Sequence, residues 1–365
     1  MRVAIVYDRV NKWGGAERIL LALHEIYPDA PLFTAVYNPT TTSWAKVFPQ
    51  VITSFLQKFP FARNHHEWYS FLMPLAFESF NFNKYDLVIS VTSEAAKGII
   101  TQPKTIHICY CLTPTRYLWQ SYNDYFNNIF LRIISLPIIN MLRKWDQIAA
   151  QRPDYFIAIS QNVADRIKKY YQREATVIYP PANLGFSEGK KDTISYTLDP
   201  KPYFLVVSRL VPYKRIDIAI NAFNELKLPL KIVGSGVEEN KLRNLAKSNI
   251  EFLGQNLTDS ELLSYYQKCR ALIFPGEEDF GLVIVETQLC GRPVIAFKAG
   301  GALETVIPGK TGEFFYPQTV DALIAKVRNF NQNHYQSKDC YDNAKKYSPA
   351  IFREKFVDII KEYIK

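Results

Sequence analysis

Two acids and two cations stand where their types and spacing can do chemistry. Glu278 and Glu286 bracket the segment Asp279-Phe280-Gly281-Leu282-Val283-Ile284-Val285, which reads as a loop running into the first turn of a helix. At such a start the backbone N–H groups of Gly281, Leu282 and Val283 have no intrahelical partner and form a lip for an anion or a hydroxyl. Glycine at 281 lets a ligand approach the main chain. Carboxylates beside free N–H groups suit a sugar, whose hydroxyls both donate and accept; the competing reading is a helix with acids in its first turn, a common stabilising device. Arg209 and Lys214 follow a strand ending at Ser208. Two cations at a strand's carboxyl end can clamp a diphosphate, the arginine through paired hydrogen bonds and the lysine as a compact charge. At about 4 Å and an effective dielectric near 20 each contact is worth roughly 4 kcal/mol before desolvation. The alternative is a solvated basic loop.

Strand-like runs alternate with helical periods along the chain, which predicts an α/β fold with parallel sheets covered by helices. The first series runs from the strand Val3 to Tyr7 through Trp13-Gly14-Gly15 into a helix from Ala16. It continues through Pro31 to Tyr37, an aromatic stretch from Phe55 to Phe82, and strands at 87–91, 106–110 and 155–159. Pro180-Pro181 and the polar residues Gly189 to Asp192 read as a linker. A second series starts at Tyr203, with strands at 230–233, 250–253, 271–274 and 294–296, and Thr258 and Glu261 spaced as a capping box. The predicted domains are 1–182, 183–348 and a closing amphipathic helix, 349–365. In doubly wound sheets ligands bind beyond the carboxyl ends of the strands, so the loops named above are where function is expected.

A chain of 365 residues suits two domains with separate cores, and a 48% hydrophobic, 22% charged composition is that of a globular protein. The net charge of +9 lies mostly in residues 1–180, which hold 19 Lys and Arg against 13 Asp and Glu. That bias suits a phosphate-bearing acceptor or an anionic membrane surface; with no nucleic-acid module visible, nucleic acid is not expected. The five cysteines show no CxxC pair or zinc spacing and read as reduced, buried thiols of a cytoplasmic protein. Strand alternation is taken to send Cys109 and Cys111 to opposite faces. The apolar run Ile129 to Leu142 falls short of the roughly 20 residues that span a bilayer.

Gly14-Gly15-Ala16-Glu17, Tyr179-Pro180-Pro181, the Ser208 to Lys214 loop, the Glu278 to Glu286 pattern, Gly291-Arg292-Pro293 and Gly300-Gly301 together resemble the family 4 retaining glycosyltransferases of the GT-B fold. The resemblance spans nearly the whole chain. It implies two Rossmann-like domains facing a cleft, with the last helix crossing back to the first domain. Arg209 and Lys214 would hold the diphosphate of a UDP- or GDP-hexose, Glu278 the hexose hydroxyls and Glu286 the ribose. The N–H groups after Phe280 would steady sugar or phosphate, Gly15 would close over the diphosphate, and Leu257 would border the base. No metal and no cofactor beyond the donor is implied, and transfer would proceed with retention during cell-surface polysaccharide synthesis.

One departure bears on turnover. Where such sequences read Tyr-Cys-His-Thr-Pro, this chain has Tyr110-Cys111-Leu112-Thr113-Pro114. Losing one well-placed polar contact can cost about 2.7 to 4 kcal/mol of barrier. His107 reads as a core histidine, and Arg116 and Tyr117 as acceptor-side residues. The rival reading is a nucleotide-sugar-binding partner or regulator with little turnover. His65 to Pro74 and the 129–142 helix, aromatic and apolar with interspersed bases, read mainly as domain packing, with a lipid-linked saccharide acceptor and peripheral membrane contact as the alternative.

Overall fold

The computed structural model describes residues 1–120, 122, 129–182 and 202–364; the predicted Gly189 to Asp192 linker lies outside them. The chain divides into two compact units, Met1–Pro181 with Phe352–Lys365, and Ala182–Ile351.

The first unit is built on seven parallel strands: β1 (Val3–Tyr7), β2 (Leu32–Thr34), β3 (Val51–Thr53), β4 (Leu87–Thr92), β5 (Ile106–Cys111), β6 (Tyr155–Ala158) and β7 (Thr176–Val177), in the order β3-β2-β1-β4-β5-β6-β7. Their runs are nearly continuous in apolar residues because strands covered on both faces have no wet side. The order reverses between β1 and β4, so the loops after these two strands lie side by side. The helix Gly15–Ile26 buries Ile19, Leu20, Ala22 and Leu23, one face at helical spacing. The aromatic stretch supplies Leu72, Met73, Phe77 and Phe82 to this unit's core, in line with packing, while leaving Trp68, Phe71 and Leu75 exposed. The last helix, Pro349–Tyr363, sets Phe352 and Phe356 against Tyr110 and stacks Tyr363 on Tyr155 with ring centroids 3.6 Å apart.

The second unit carries six parallel strands: β8 (Phe204–Val207), β9 (Leu230–Val233), β10 (Ile250–Gly254), β11 (Leu272–Phe274), β12 (Val294–Phe297) and β13 (Gly312–Phe315), in the order β10-β9-β8-β11-β12-β13. Here the reversal falls between β8 and β11. Thr258 and Glu261 form the expected capping box on the helix Asp259–Lys268. The two sheets with their helices make an α/β, two-domain fold of GT-B type.

The structure corrects one expectation. Cys109 and Cys111 lie on the same face of β5, since residues two apart on a strand point the same way, and burial followed by the Cys109 thiol pushes the Cys111 thiol well up. Both are buried and free.

Candidate functional site

The reversal point of the second sheet brings together the loops that the sequence singled out. Ser208 to Lys214 follows β8, and Pro275 to Gly281 follows β11. The Lys214 Nζ and the Glu278 Oε1 form an ion pair between them, with side chains 10% and 22% exposed. The ammonium also lies 5.2 Å from the Tyr213 ring centroid, and the Tyr213 hydroxyl accepts a 2.6 Å hydrogen bond from Arg209 Nη2. Arg209, Tyr213, Lys214 and Glu278 therefore make one chain of contacts, and Arg209 is its most exposed member.

Glycines let the loops meet. A Cβ on Gly234, in the turn after β9, would stand 1.8 Å from the Ser208 carbonyl oxygen, and the residue has a left-handed φ of 135°. On the other side Gly301 donates its N–H to the Glu278 carbonyl at 2.8 Å, and a Cβ there would lie 2.3 Å from the Phe280 Cα. Any side chain at either position would push the loops apart.

The remaining predicted residues of this unit divide. Gly281, at φ 85°, opens the helix Leu282–Leu289, and Leu282 and Val283 follow in its first turn, half-buried. Val283 and Leu257 pack against one apolar cluster with Leu253 and Val233. Phe280 is buried, its ring 5.3 Å from that of Tyr347, so its side chain anchors the loop. Glu286 is 3% exposed, and its Oε2 accepts from the Tyr266 hydroxyl at 2.7 Å. It sits in the body of the helix Leu282–Leu289.

The first unit has a second convergence at its own reversal point. Gly15 is exposed at the start of its helix. Asp8, at the end of β1, accepts from the N–H groups of Ser93, Glu94, Ala95 and Ala96 at 2.6 to 3.0 Å, and from the Thr92 hydroxyl. This nest of backbone donors is of the kind that binds phosphate, and here the protein's own carboxylate fills it. Burial raises the Asp8 carboxyl pKa, while the N–H donors pull the other way. Beside it, Arg9 Nη1 meets Glu94 Oε1 at 2.6 Å, and the Asn11 amide lies 3.1 Å from His66 Nδ1. Burial, then the Arg9 charge, lowers the His66 pKa to about 3, which keeps the ring neutral.

Leu112 is half-buried at the end of β5, and its N–H donates to Thr92. Arg116 and Tyr117 open the short helix that follows. Burial pushes the Tyr117 phenol well up, with the carboxylates of Glu94 and Asp146 adding to it. The structure thus gathers Tyr117, Glu94 and Arg9 at one end of the first sheet.

Sequence reasoning missed Tyr213, Tyr266, Arg9 and Glu94. The signal for Arg9 was present, since it follows β1 by two residues, the position in which Arg209 follows β8. Tyrosines that bridge or shield charged partners leave no spacing pattern to find.

The comparisons with known proteins agree with this layout. Residues 190–347 match the family model described as glycosyl transferases group 1. The chain is 30% identical over 220 residues to an uncharacterized glycosyltransferase of Methanocaldococcus jannaschii, covering 59% of this chain and 60% of that relative. It is 32% identical over 150 residues to a GDP-mannose-dependent phosphatidylinositol monomannoside mannosyltransferase of Mycolicibacterium smegmatis, covering 36% of this chain and 39% of that protein. Among solved structures it is similar to Anabaena HepE in complex with UDP, with a TM-score of 0.70 and 19% identity over 99% of this chain and all of that one. The chain spans about three-fifths of the length of the first curated relatives it matches. Residues 190–347, within the second unit, match the group 1 glycosyl transferases, and the similar solved structures share the two-unit fold of this chain.

Proposed function

We propose that this chain transfers a hexose from a nucleotide-diphosphate sugar, of the UDP-glucose or GDP-mannose kind, to a saccharide or lipid-linked saccharide acceptor in cell-surface polysaccharide synthesis. The observation that carries the reading is the Lys214–Glu278 ion pair, which joins the cationic loop after β8 to the acidic loop after β11. An ammonium has three donor protons, so Lys214 keeps Glu278 in place while offering the others to phosphate oxygens. Arg209 adds a planar pair of donors. Glu278 accepts from hexose hydroxyls, the N–H groups of Gly281 to Val283 receive oxygen at a helix start, and Glu286 receives the ribose once Tyr266 shares it. The relatives' names support a nucleotide-sugar donor, one being GDP-mannose-dependent and the similar structures holding UDP or UDP-glucose.

In this reading the acceptor hydroxyl attacks the anomeric carbon on the face that the diphosphate leaves. The new C–O bond forms as the old one breaks, and the hydroxyl proton passes to the departing diphosphate, so configuration is retained. Arg209, Lys214 and the helix start meet the leaving-group charge without a metal. Arg116 and Tyr117 serve the acceptor. The reaction takes place in the cytoplasm.

A thermal-shift panel of UDP, GDP and their hexoses, with and without magnesium, tests the reading. Ligand at a hundred times its Kd adds about 2.7 kcal/mol to the unit that binds it. We expect one nucleotide to raise the melting temperature, and Lys214→Gln to weaken that nucleotide about 10- to 100-fold. No shift from any nucleotide refutes the proposal.

Leu112 favours a second reading, a donor-binding protein with little turnover. If Leu112→His speeds sugar transfer or donor hydrolysis by two to three powers of ten, roughly the worth of one transition-state contact, the second reading stands.

A further inference from the structure

We propose that the first unit docks on an anionic lipid bilayer through the outer face of the helix Ile129–Ala149. The proposal is independent of the sugar-transfer reading and needs no donor. A surface helix should be apolar inward and polar outward. This one is apolar on both sides. Ile139 and Leu142 face inward, packed with Leu118, Tyr117 and Trp119. Outward, Ile133, Ile134, Leu136, Ile138, Met141 and Ile148 are each 40 to 63% exposed. At 3.6 residues per turn these six fall on one broad face, which Lys144 shares.

The aromatic stretch lies beside this helix. Trp145 donates its indole N–H to Glu78 at 2.8 Å and packs on the same buried core as Tyr69 and Leu72, so the helix and the 66–78 segment meet. From that segment Trp68, Phe71 and Leu75 are exposed in turn. Two neighbouring elements therefore leave large apolar side chains in water, the arrangement that marks an interaction site and not a scatter of single residues.

Charge selects the occupant. The described side chains of the helix carry Arg132, Arg143 and Lys144, and the helix's one acid, Asp146, is buried against Lys97. An outward face of apolar side chains with Lys144 as its charge, beside an aromatic segment whose exposed acid Glu67 lies 3.6 Å from His65, matches a headgroup layer of negative sign, into which such a helix sinks by about 5–10 Å. No helix among the described residues is long and apolar enough to cross a membrane, and the proposed contact lies in the plane of the surface.

The test is flotation of the full chain with vesicles of phosphatidylcholine alone, and of phosphatidylcholine with phosphatidylglycerol. Expected are flotation with the phosphatidylglycerol vesicles, little with the neutral ones, and loss on adding salt. Ile134→Ser with Met141→Ser lowers the bound fraction about tenfold, Lys144→Glu lowers it at low salt, and Val237→Ser, on an exposed position of the other unit, does not. All the substituted positions are solvent-exposed, so unchanged melting is expected. The proposal is overturned by failure to float with either vesicle, by equal binding to both, or by a double variant that floats like the parent. Light scattering without vesicles gives the last arm: a dimer that the double variant splits would assign the face to a second copy of the chain.

Discussion

His107 points its Nε2 at the Ser90 hydroxyl, 2.8 Å away, and its Nδ1 has no hydrogen-bond partner in the buried interior of the first sheet. Burial, with smaller contributions from Arg152 and Arg173, lowers its pKa to about 3. It is the core histidine that its position before Leu112 implied, and no stand-in for a polar group at 112. The unfolded chain takes up a proton near pH 6.5 that the folded one refuses until about pH 3. Stability from this group is therefore full above pH 6.5 and is lost as pH falls. From pH 6 to pH 4 the loss is about 2.5 kcal/mol. Urea unfolding at the two pH values should show His107→Gln closing its stability gap to the parent by about that amount; a constant gap would refute the assignment. The residues that handle charge were readable because cations after a strand and acids at a helix start have few other uses. Tyr213 was not, because a tyrosine that bridges Arg209 and Lys214 leaves no spacing pattern, and Glu94 was not, because its partner Arg9 lies 85 positions away along the chain.

At the scale of elements, the buried Asp146 ties its own helix to three other segments. Its Oδ1 lies 2.5 Å from Lys97 Nζ and accepts from Thr115, and its Oδ2 accepts from the Trp119 indole and the Tyr171 hydroxyl. Burial alone would depress the Lys97 ammonium, and the Asp146 carboxylate more than offsets it, so the pKa is raised. This hub fixes the turn that carries Arg116 and Tyr117. Removing one partner of a buried pair strands the other charge, at a cost of about 3–5 kcal/mol. We expect Asp146→Asn to destabilise the first unit by that amount in urea, and Asp146→Leu with Lys97→Met to recover most of it. The nucleotide-induced shift should survive in both. No sequence rule found this hub, because its members lie up to 74 positions apart. The central strands were legible from unbroken apolar runs, whereas β3, three residues long, and β13, which begins on Gly312, gave no comparable pattern.

At the scale of the whole molecule, the chain ends in the unit where it began. The helix Pro349–Tyr363 starts beside the second unit and, from Phe352 on, belongs to the first. Its apolar period was visible in the sequence, but periodicity shows which face is buried and not against what; only the family resemblance supplied the destination. Phe352 and Phe356 are both buried on Tyr110, the strand residue two positions before Leu112, and Arg353 reaches Glu25 of the helix Gly15–Ile26. The core of the first unit is thus closed by a helix far from its strands in sequence. Truncating a fully buried phenylalanine costs about 3–5 kcal/mol. Two units with separate cores should melt in separable steps, so Phe356→Ala is expected to lower only the transition of the first unit in calorimetry. Nucleotide should still raise the other transition, because the contacts proposed to hold it, at Arg209, Lys214 and Glu278, lie in the second unit. If Phe356→Ala instead lowered both transitions equally and abolished the nucleotide shift, the units would melt as one, and the assignment of this helix to the first core alone would be wrong.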